Sequence, residues 1–210
     1  LCVGPNIEYA VVQTFNPYNG APITAVMAKA RVAAYLKAEG AEADFNEYKA
    51  GDKIIPYRII AEVKGTDLVG YHYKQLMPWV KPLEKMGHLA ADFVNEYAQA
   101  HPEKVFAVGA DQFVELSELA FRVIAGDYVT TDDGTGIVHI AGTFGADDLR
   151  VSRQNNIPPL TLIDIDGNVR PMVDMKGRFF PIEDIDPAWV EANVDVEAYK
   201  PWAGKYVKNA

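Results

Sequence analysis

Apolar and polar positions alternate in part from Ile7 to Phe15, in a β-rich run that predicts a strand. Asn16-Pro17-Tyr18-Asn19-Gly20 carries the residues of a turn, and Ile23 to Met27 reads as the returning strand. The period then changes. Ala30, Ala33, Ala34 and Leu36 give Ala28 to Lys37 a small apolar face, which predicts a helix. Ala38 to Asp52 is acidic without a strong period and reads as a surface connection. Tyr57 to Val63 and Leu68 to Leu76 read as strands on either side of a turn at Lys64-Gly65-Thr66-Asp67. Between Trp79 and Lys104, Leu89, Phe93, Val94 and Tyr97 recur at helical spacing, and His101-Pro102 ends the run. This segment, about 79–104, predicts a peripheral helical excursion between β elements.

Val105 to Val108 and Phe121 to Ile124 read as strands leading into the most patterned stretch, Asp127 to Arg150. There Gly134 and Gly136 flank Thr135, which predicts a tight turn with its amides exposed. Ile137 to Ala141 reads as a short buried strand carrying one imidazole, His139, with Ile137, Val138 and Ile140 in the core and Phe144 packed nearby. Gly142 to Gly145 breaks that strand, Asp147-Asp148 falls where a helix begins, and Ala146 to Gln154 predicts a short helix. Beyond Ile157 come short β segments, with a hairpin turn at Asp164 to Asn168 and a helical turn or two at Pro187 to Asn193. Many short strands with a few peripheral helices predict a mainly β fold of α+β type, with a closed or nearly closed β-barrel core in a single domain, 1–210.

Composition narrows the functional classes. A formal charge of −9 and a pI near 4.9 argue against broad nucleic-acid binding, and so against a DNA partner, but leave room to grip the end of an RNA strand. The one cysteine, Cys2, allows no intrachain disulfide and predicts a reducing, cytoplasmic home. No apolar run approaches the roughly 20 residues of a membrane span, so no membrane partner is expected. The chain opens on Leu1, already inside a strand-like pattern, and reads as a piece of a larger protein.

Several chemistries can be set aside. His72, His88, His101, His139 and Cys2 have no metal-ligand spacing, so neither a metal nor another cofactor is expected. Asp164-x-Asp166-Gly167-Asn168 has the look of a calcium loop, yet its twelfth position is Met175 rather than Glu, so a hairpin turn is the better reading. Asp133-Gly134-Thr135-Gly136 has no second copy to make an aspartic dyad. What remains is an imidazole, a set of backbone donors and a carboxylate clustered in one stretch, a combination suited to a small, polar, cationic ligand. For each there is a plainer role: a core histidine, a tight turn, a helix start that fits Asp147 better than Asp148, and strand surface for Thr130 and Thr131.

Gly134-Thr135-Gly136-Ile137-Val138-His139-Ile140-Ala141, followed by Phe144-Gly145-Ala146-Asp147-Asp148, closely resembles the signature of the editing domain of isoleucyl-tRNA synthetases, class I enzymes. The resemblance runs from Val3-Gly4-Pro5-Asn6 to Trp202-Ala203-Gly204-Lys205-Tyr206-Val207-Lys208. It implies a barrel with flanking helices and a hydrolytic activity, removal of valine wrongly esterified to isoleucine tRNA. The implied partners are the 3′ end of the aminoacylated tRNA and the remainder of the synthetase. On this resemblance Asp148 holds the substrate's α-ammonium group and His139 rejects the larger isoleucine side chain. Gly134, Thr135, Gly136 and Thr131 are then candidate substrate contacts. Two features depart from the family: Gly142 stands where a proline is usual, and the threonine-rich segment preceding this region is not in the chain. The ATP-site motifs HIGH and KMSKS are absent as well, so ATP binding is expected only of a parent protein. The alternative from another class is a non-catalytic module that captures the aminoacylated RNA end or braces the synthetase body.

Overall fold

The computed structural model of the chain describes residues 1–86 and 92–209. In chain order the strands are β1 (Cys2–Val3), β2 (Glu8–Phe15), β3 (Pro22–Ala28), β4 (Arg58–Lys64), β5 (Leu83–Lys85), β6 (Val105–Val108), β7 (Asp111–Glu115), β8 (Ile124–Ala125), β9 (Ile137–Val138), β10 (Thr161–Ile163) and β11 (Val169–Pro171). The helices are α1 (Val32–Tyr35), α2 (Gly65–Leu68), α3 (Asp92–Ala100), α4 (Ser117–Ala120), α5 (Ala146–Gln154), α6 (Pro187–Asn193) and α7 (Val196–Tyr199). The chain divides into two compact units, Leu1–His72 with Arg122–His139, and Tyr73–Phe121 with Ile140–Ala210.

In the first unit, β2 is the central strand of an antiparallel sheet ordered β3-β2-β4. Its alternation sorts the side chains. Ala10 and Val12 are fully buried with Met27, Val32 and Leu36, while Tyr9 turns to the other face with Val3 and Ala28. A bulge between Val11 and Val12 leaves Ile60 of β4 without an opposite residue. A second small sheet, β8-β1-β9, sets β1 parallel to β8 and antiparallel to β9.

The second unit is held by aromatic packing. Trp79, Leu83, Phe113, Leu162, Phe179, Trp189 and Tyr199 form one buried cluster. The sheet β5-β7-β6 and the hairpin β10-β11 frame it. Helix α6 starts where Asp186 accepts a hydrogen bond from the Trp189 amide at 2.9 Å, with Pro187 in the first turn. Helix α3 lays Val94 and Ala98 on Val114 and Leu116 in a separate cluster.

The fold is mixed α and β, with several small sheets and comparable shares of helix and strand, rather than mainly β. Among the described residues the strand pairings make four separate sheets of two or three strands. Short helices account for part of the difference. Lys64 to Leu68, expected as turn and strand, winds into α2, and Gly70 at φ +90° takes the backbone out of the β region. Of Leu68 to Leu76, only His72 bridges to Arg122. The expected helix over Ala28 to Lys37 is a 3₁₀ turn, Lys29–Arg31, followed by α1, and it stops at Leu36, which is extended at φ −126°.

The stretch 79–104 is not peripheral throughout. Among the described residues, helix there is limited to α3 and a 3₁₀ turn, Pro102–Lys104; Leu83–Lys85 pairs with β7, and Trp79, Val80 and Leu83 are core residues. Leu89 and His88 lie outside the described residues. The strand expected over Ile137 to Ala141 is only the two residues of β9. Ile137, Val138 and Ile140 are half-buried and Phe144 is 57% exposed, because single-strand pairing to β1 covers just one edge of this stretch.

Candidate functional site

The Gly134–Gly136 turn belongs to the first unit, and the scaffold there holds it by its carbonyl groups. Ala28 donates its amide to Thr135 O at 2.7 Å. Arg31 donates Nε to Gly134 O at 2.9 Å and Nη1 to Asp132 O at 3.3 Å. The buried Tyr9 hydroxyl accepts from the Gly4 amide at 2.9 Å and donates to Gly136 O at 2.6 Å. Burial keeps the Tyr9 phenol above its ordinary value, against the opposing effect of the Gly4 amide, so it retains the proton it donates.

With three successive carbonyls occupied, the amides are what the turn has left. Gly134 N is taken by Asp133 Oδ1 at 2.7 Å. Among the described residues, the Thr135 and Gly136 amides have no hydrogen-bond partner. Two adjacent free N–H groups on a fixed turn are suited to an anionic oxygen. Gly136 is required on two counts: its φ is +73°, and a Cβ there would sit 2.6 Å from Ala28 Cβ. Gly134 has positive φ with open space around it, so it is required only for conformation. Nearby, half-buried Thr131 lines an open cavity of about 470 Å³ with Ile7, Glu8, Lys29 and Ala30. Thr130 is exposed, and so is His139, the last residue of this unit, which is therefore not a core histidine.

Asp148 belongs to the second unit, in the first turn of α5. Its Oδ2 accepts the Ala141 amide at 3.0 Å, and Phe144 N donates to Ala141 O at 2.9 Å, so the bend from Ala141 to Gly145 is folded back onto the helix start. The half-buried carboxylate keeps Oδ1 without a hydrogen bond among the described residues, available for a cationic group. Asp147 points to solvent, its side chain 93% exposed and 3.3 Å from Arg150. The N-cap is Gly145, not Asp147, and no side chain caps this helix. Gly142 has a local reason: a Cβ there would lie 2.8 Å from the Oγ of buried Ser152.

The structure thus gathers Thr131 and Gly134 to Gly136 in one loop of the first unit, with His139 after them, and sets Asp148 against Ala141 in the second. Sequence reading missed Tyr9 and Arg31. Tyr9 looked like an ordinary strand residue and Arg31 an ordinary helix residue, and each bonds a carbonyl more than a hundred positions away. At the other candidate turn, Asp164 accepts from the amides of Asp166 and Asn168 and from Arg170 Nε at 2.8 Å, the arrangement of a hairpin. Burial tends to raise its carboxyl, but the Arg170 and Asn168 hydrogen bonds outweigh that and hold it below the usual range. No cluster of three or more potential metal ligands occurs among the described residues, and none of their helices is long and apolar enough to cross a membrane.

No protein-family model matches the chain. Curated relatives do. The isoleucine–tRNA ligase of Bacteroides thetaiotaomicron is 47% identical over 210 residues, covering all of this chain and 16% of the relative. That of Porphyromonas gingivalis is 47% identical over 211 residues with the same shares, and that of Cytophaga hutchinsonii is 39% identical over 210, 14% of its length. A mixed fold that fixes backbone donors on a glycine turn, with this likeness over its whole length, puts the chain among the aminoacyl-tRNA ligases. More narrowly, it belongs to the isoleucine–tRNA ligase family, as a segment spanning about one-sixth of the relatives it matches.

Proposed function

We propose that the chain is the editing domain of an isoleucine–tRNA ligase, acting as one module over 1–210 that hydrolyses valine wrongly esterified to isoleucine tRNA. Valine and isoleucine differ by one methylene, the familiar case in which a binding pocket discriminates by only about 1–3 kcal/mol and a second, hydrolytic sieve is required. The observation that carries the reading is the pinned Gly134–Gly136 turn, whose carbonyls are occupied and whose Thr135 and Gly136 amides are free.

In the proposed reaction a water attacks the ester carbonyl and the developing oxyanion takes hydrogen bonds from those two amides. The tetrahedral intermediate then collapses with cleavage of the acyl C–O bond, and the departing ribose oxygen takes up a proton from the attacking water, giving free valine and the tRNA hydroxyl. No covalent nucleophile is needed for an ester already activated; positioning the water suffices. Asp148 pairs its free oxygen with the substrate's α-ammonium group. His139 sets the size limit of the amino-acid pocket, and Thr131 contacts substrate from the same loop as the turn. The 3′ end of the tRNA and the rest of the ligase are the partners, with a cytoplasmic location. The barrel architecture belongs to the same proposal. Its support is the three-stranded sheet around β2, bulged at Val11/Val12 as strands at barrel rims are.

The test is deacylation of valyl- and isoleucyl-tRNA by the full ligase carrying single substitutions. Asp148→Ala should lower valyl-tRNA hydrolysis by roughly ten- to a hundredfold, since a hydrogen bond to a charged group contributes about 1.5–3 kcal/mol. Asp147→Ala should leave it within about twofold, as expected of a solvated side chain. His139→Ala should extend hydrolysis to correctly charged isoleucyl-tRNA. Unchanged hydrolysis in all three would remove the proposal and favour a non-catalytic module.

A further inference from the structure

In a chain of formal charge −9, one region of the second unit has the opposite sign. Residues 174–180 and 200–208 hold five cations, Lys176, Arg178, Lys200, Lys205 and Lys208, and a single carboxylate, Asp174. The fold sets these two segments side by side. Arg178 and Tyr206 form an antiparallel bridge, Val207 N donates to Gly177 O at 3.0 Å, and Phe179 N donates to Lys205 O at 3.0 Å.

The one carboxylate is used up internally. Asp174 Oδ1 accepts the amides of Lys176 and Arg178 at 2.8 and 2.9 Å, and Oδ2 accepts Arg178 Nη2 at 3.0 Å. Lys176, Lys200, Lys205 and Lys208 are exposed, and among the described residues none of them makes an ion pair. In the same unit Lys81, Lys85 and Lys104 each have an acidic partner. Aromatic rings are interleaved with the free cations: Lys205 Nζ lies 5.6 Å from the Trp202 ring centre, and Lys208 Nζ lies 5.6 Å from that of Tyr206, which is itself 45% exposed. Clustered unpaired lysines beside an exposed ring make the footprint of a phosphate backbone rather than of an apolar partner.

We propose that the surface formed by 174–180 and 200–208 binds the sugar–phosphate backbone of an RNA strand, away from the candidate editing residues in sequence and independent of their chemistry. The choice of RNA over DNA rests on the function proposed above; the cationic surface does not. The lysines supply nonspecific phosphate contacts, and Tyr206 supplies a face on which a base can stack.

The experiment is fluorescence anisotropy of a labelled single-stranded RNA with the 210-residue chain, across potassium chloride from about 50 to about 200 mM. Each phosphate contact on a single strand contributes about −0.7 to the slope of log affinity against log salt, so reversing two lysines should remove about 1.4 from it. Lys176→Glu with Lys208→Glu should therefore flatten the slope by that amount and lower low-salt affinity by at least about tenfold. The control Lys49→Glu with Lys53→Glu, on exposed positions of the other unit, should change affinity less than about twofold. All three proteins should share one thermal midpoint, because the substituted side chains are exposed. Asp148→Ala should bind like wild type, so that loss of hydrolysis and loss of this contact are read separately. Absence of wild-type binding at low salt, or equal losses in the patch and control variants, overturns the proposal. So does equal displacement by polyglutamate and polyuridylate, which would mark the surface as one for an acidic protein instead.

Discussion

The two units of the chain solve the problem of rigidity in different ways. In the first, the segment that matters most is fixed by hydrogen bonds to its backbone: Tyr9, Ala28 and Arg31 each hold a carbonyl of the Gly134–Gly136 turn. In the second, large aromatic side chains are packed into one cluster, with Trp189 and Tyr199 wholly enclosed. Hydrogen bonds are directional and leave the unpaired side of a peptide free, so a turn held this way can present donors. Packing is non-directional and suits a body that must only stay folded.

The comparison breaks most visibly at the aromatic cluster. Trp189→Ala should cost about 3–5 kcal/mol in urea unfolding, the range for removing a large buried ring. Hydrogen exchange should show the loss concentrated in β5 to β7 and α6. Trp189→Phe should cost far less, because the buried indole Nε1 has no hydrogen-bond partner among the described residues and its loss leaves nothing unpaired. Equal costs for the two would mean that the ring volume is not what matters there.

Gly136→Ala tests the opposite kind of rigidity. It forces an L side chain to positive φ and pushes a methyl against Ala28, for a combined cost of about 2–4 kcal/mol. Gly134→Ala, with open space around it, should cost only the conformational part, about 1–2 kcal/mol. If the two alanine variants melt together, the close contact with Ala28 is not what holds the turn.

Glu84 sharpens the comparison through pH. It sits half-buried on β5 opposite Val114, and burial raises its carboxyl from the ordinary 4.5 to about 7. A carboxyl raised on folding favours the folded state while protonated. That stability is complete below the unfolded value and is lost as pH rises toward 7. Wild-type stability should therefore fall between pH 5 and 8 by roughly 2–3 kcal/mol from this group, and Glu84→Gln should remove the fall. Urea midpoints at the two pH values decide it. A variant with the same pH dependence as wild type would clear Glu84 of the effect.

The smallest expected effect is Tyr9→Phe. It strands the Gly4 amide and Gly136 carbonyl that the hydroxyl joined, at about 1–2 kcal/mol, with little change in packing. Exchange of the Thr135 and Gly136 amides should nevertheless accelerate more than the global loss explains. Uniform acceleration across the first unit would mean the hydroxyl does not hold the turn in particular.

The sequence by itself determined the local elements whose signals are local. Partial alternation gave the β2 and β3 hairpin, Ala146 to Gln154 and Pro187 to Asn193 are helices with the expected bounds, and Asp164 to Asn168 makes a hairpin turn. It also marked Gly134 and Gly136 as turn residues, because positive φ is written in the residue type. Tertiary structure alone decided the rest. The three-residue strand β5 exists only through its pairing with β7, distant in sequence, so no window of the chain could announce it, and the same kind of distant partner, β1, decides that β9 keeps only two residues of the strand read over Ile137 to Ala141. The half-burial of Ile137 and the exposure of His139 depend on which edge β1 covers, not on the apolar run that contains them. Gly142 reads only as a strand breaker and a departure from the usual proline until Ser152 is seen filling the space beside it. Tyr9 and Arg31 act on the turn through contacts that span more than a hundred residues, and such contacts leave no periodicity behind.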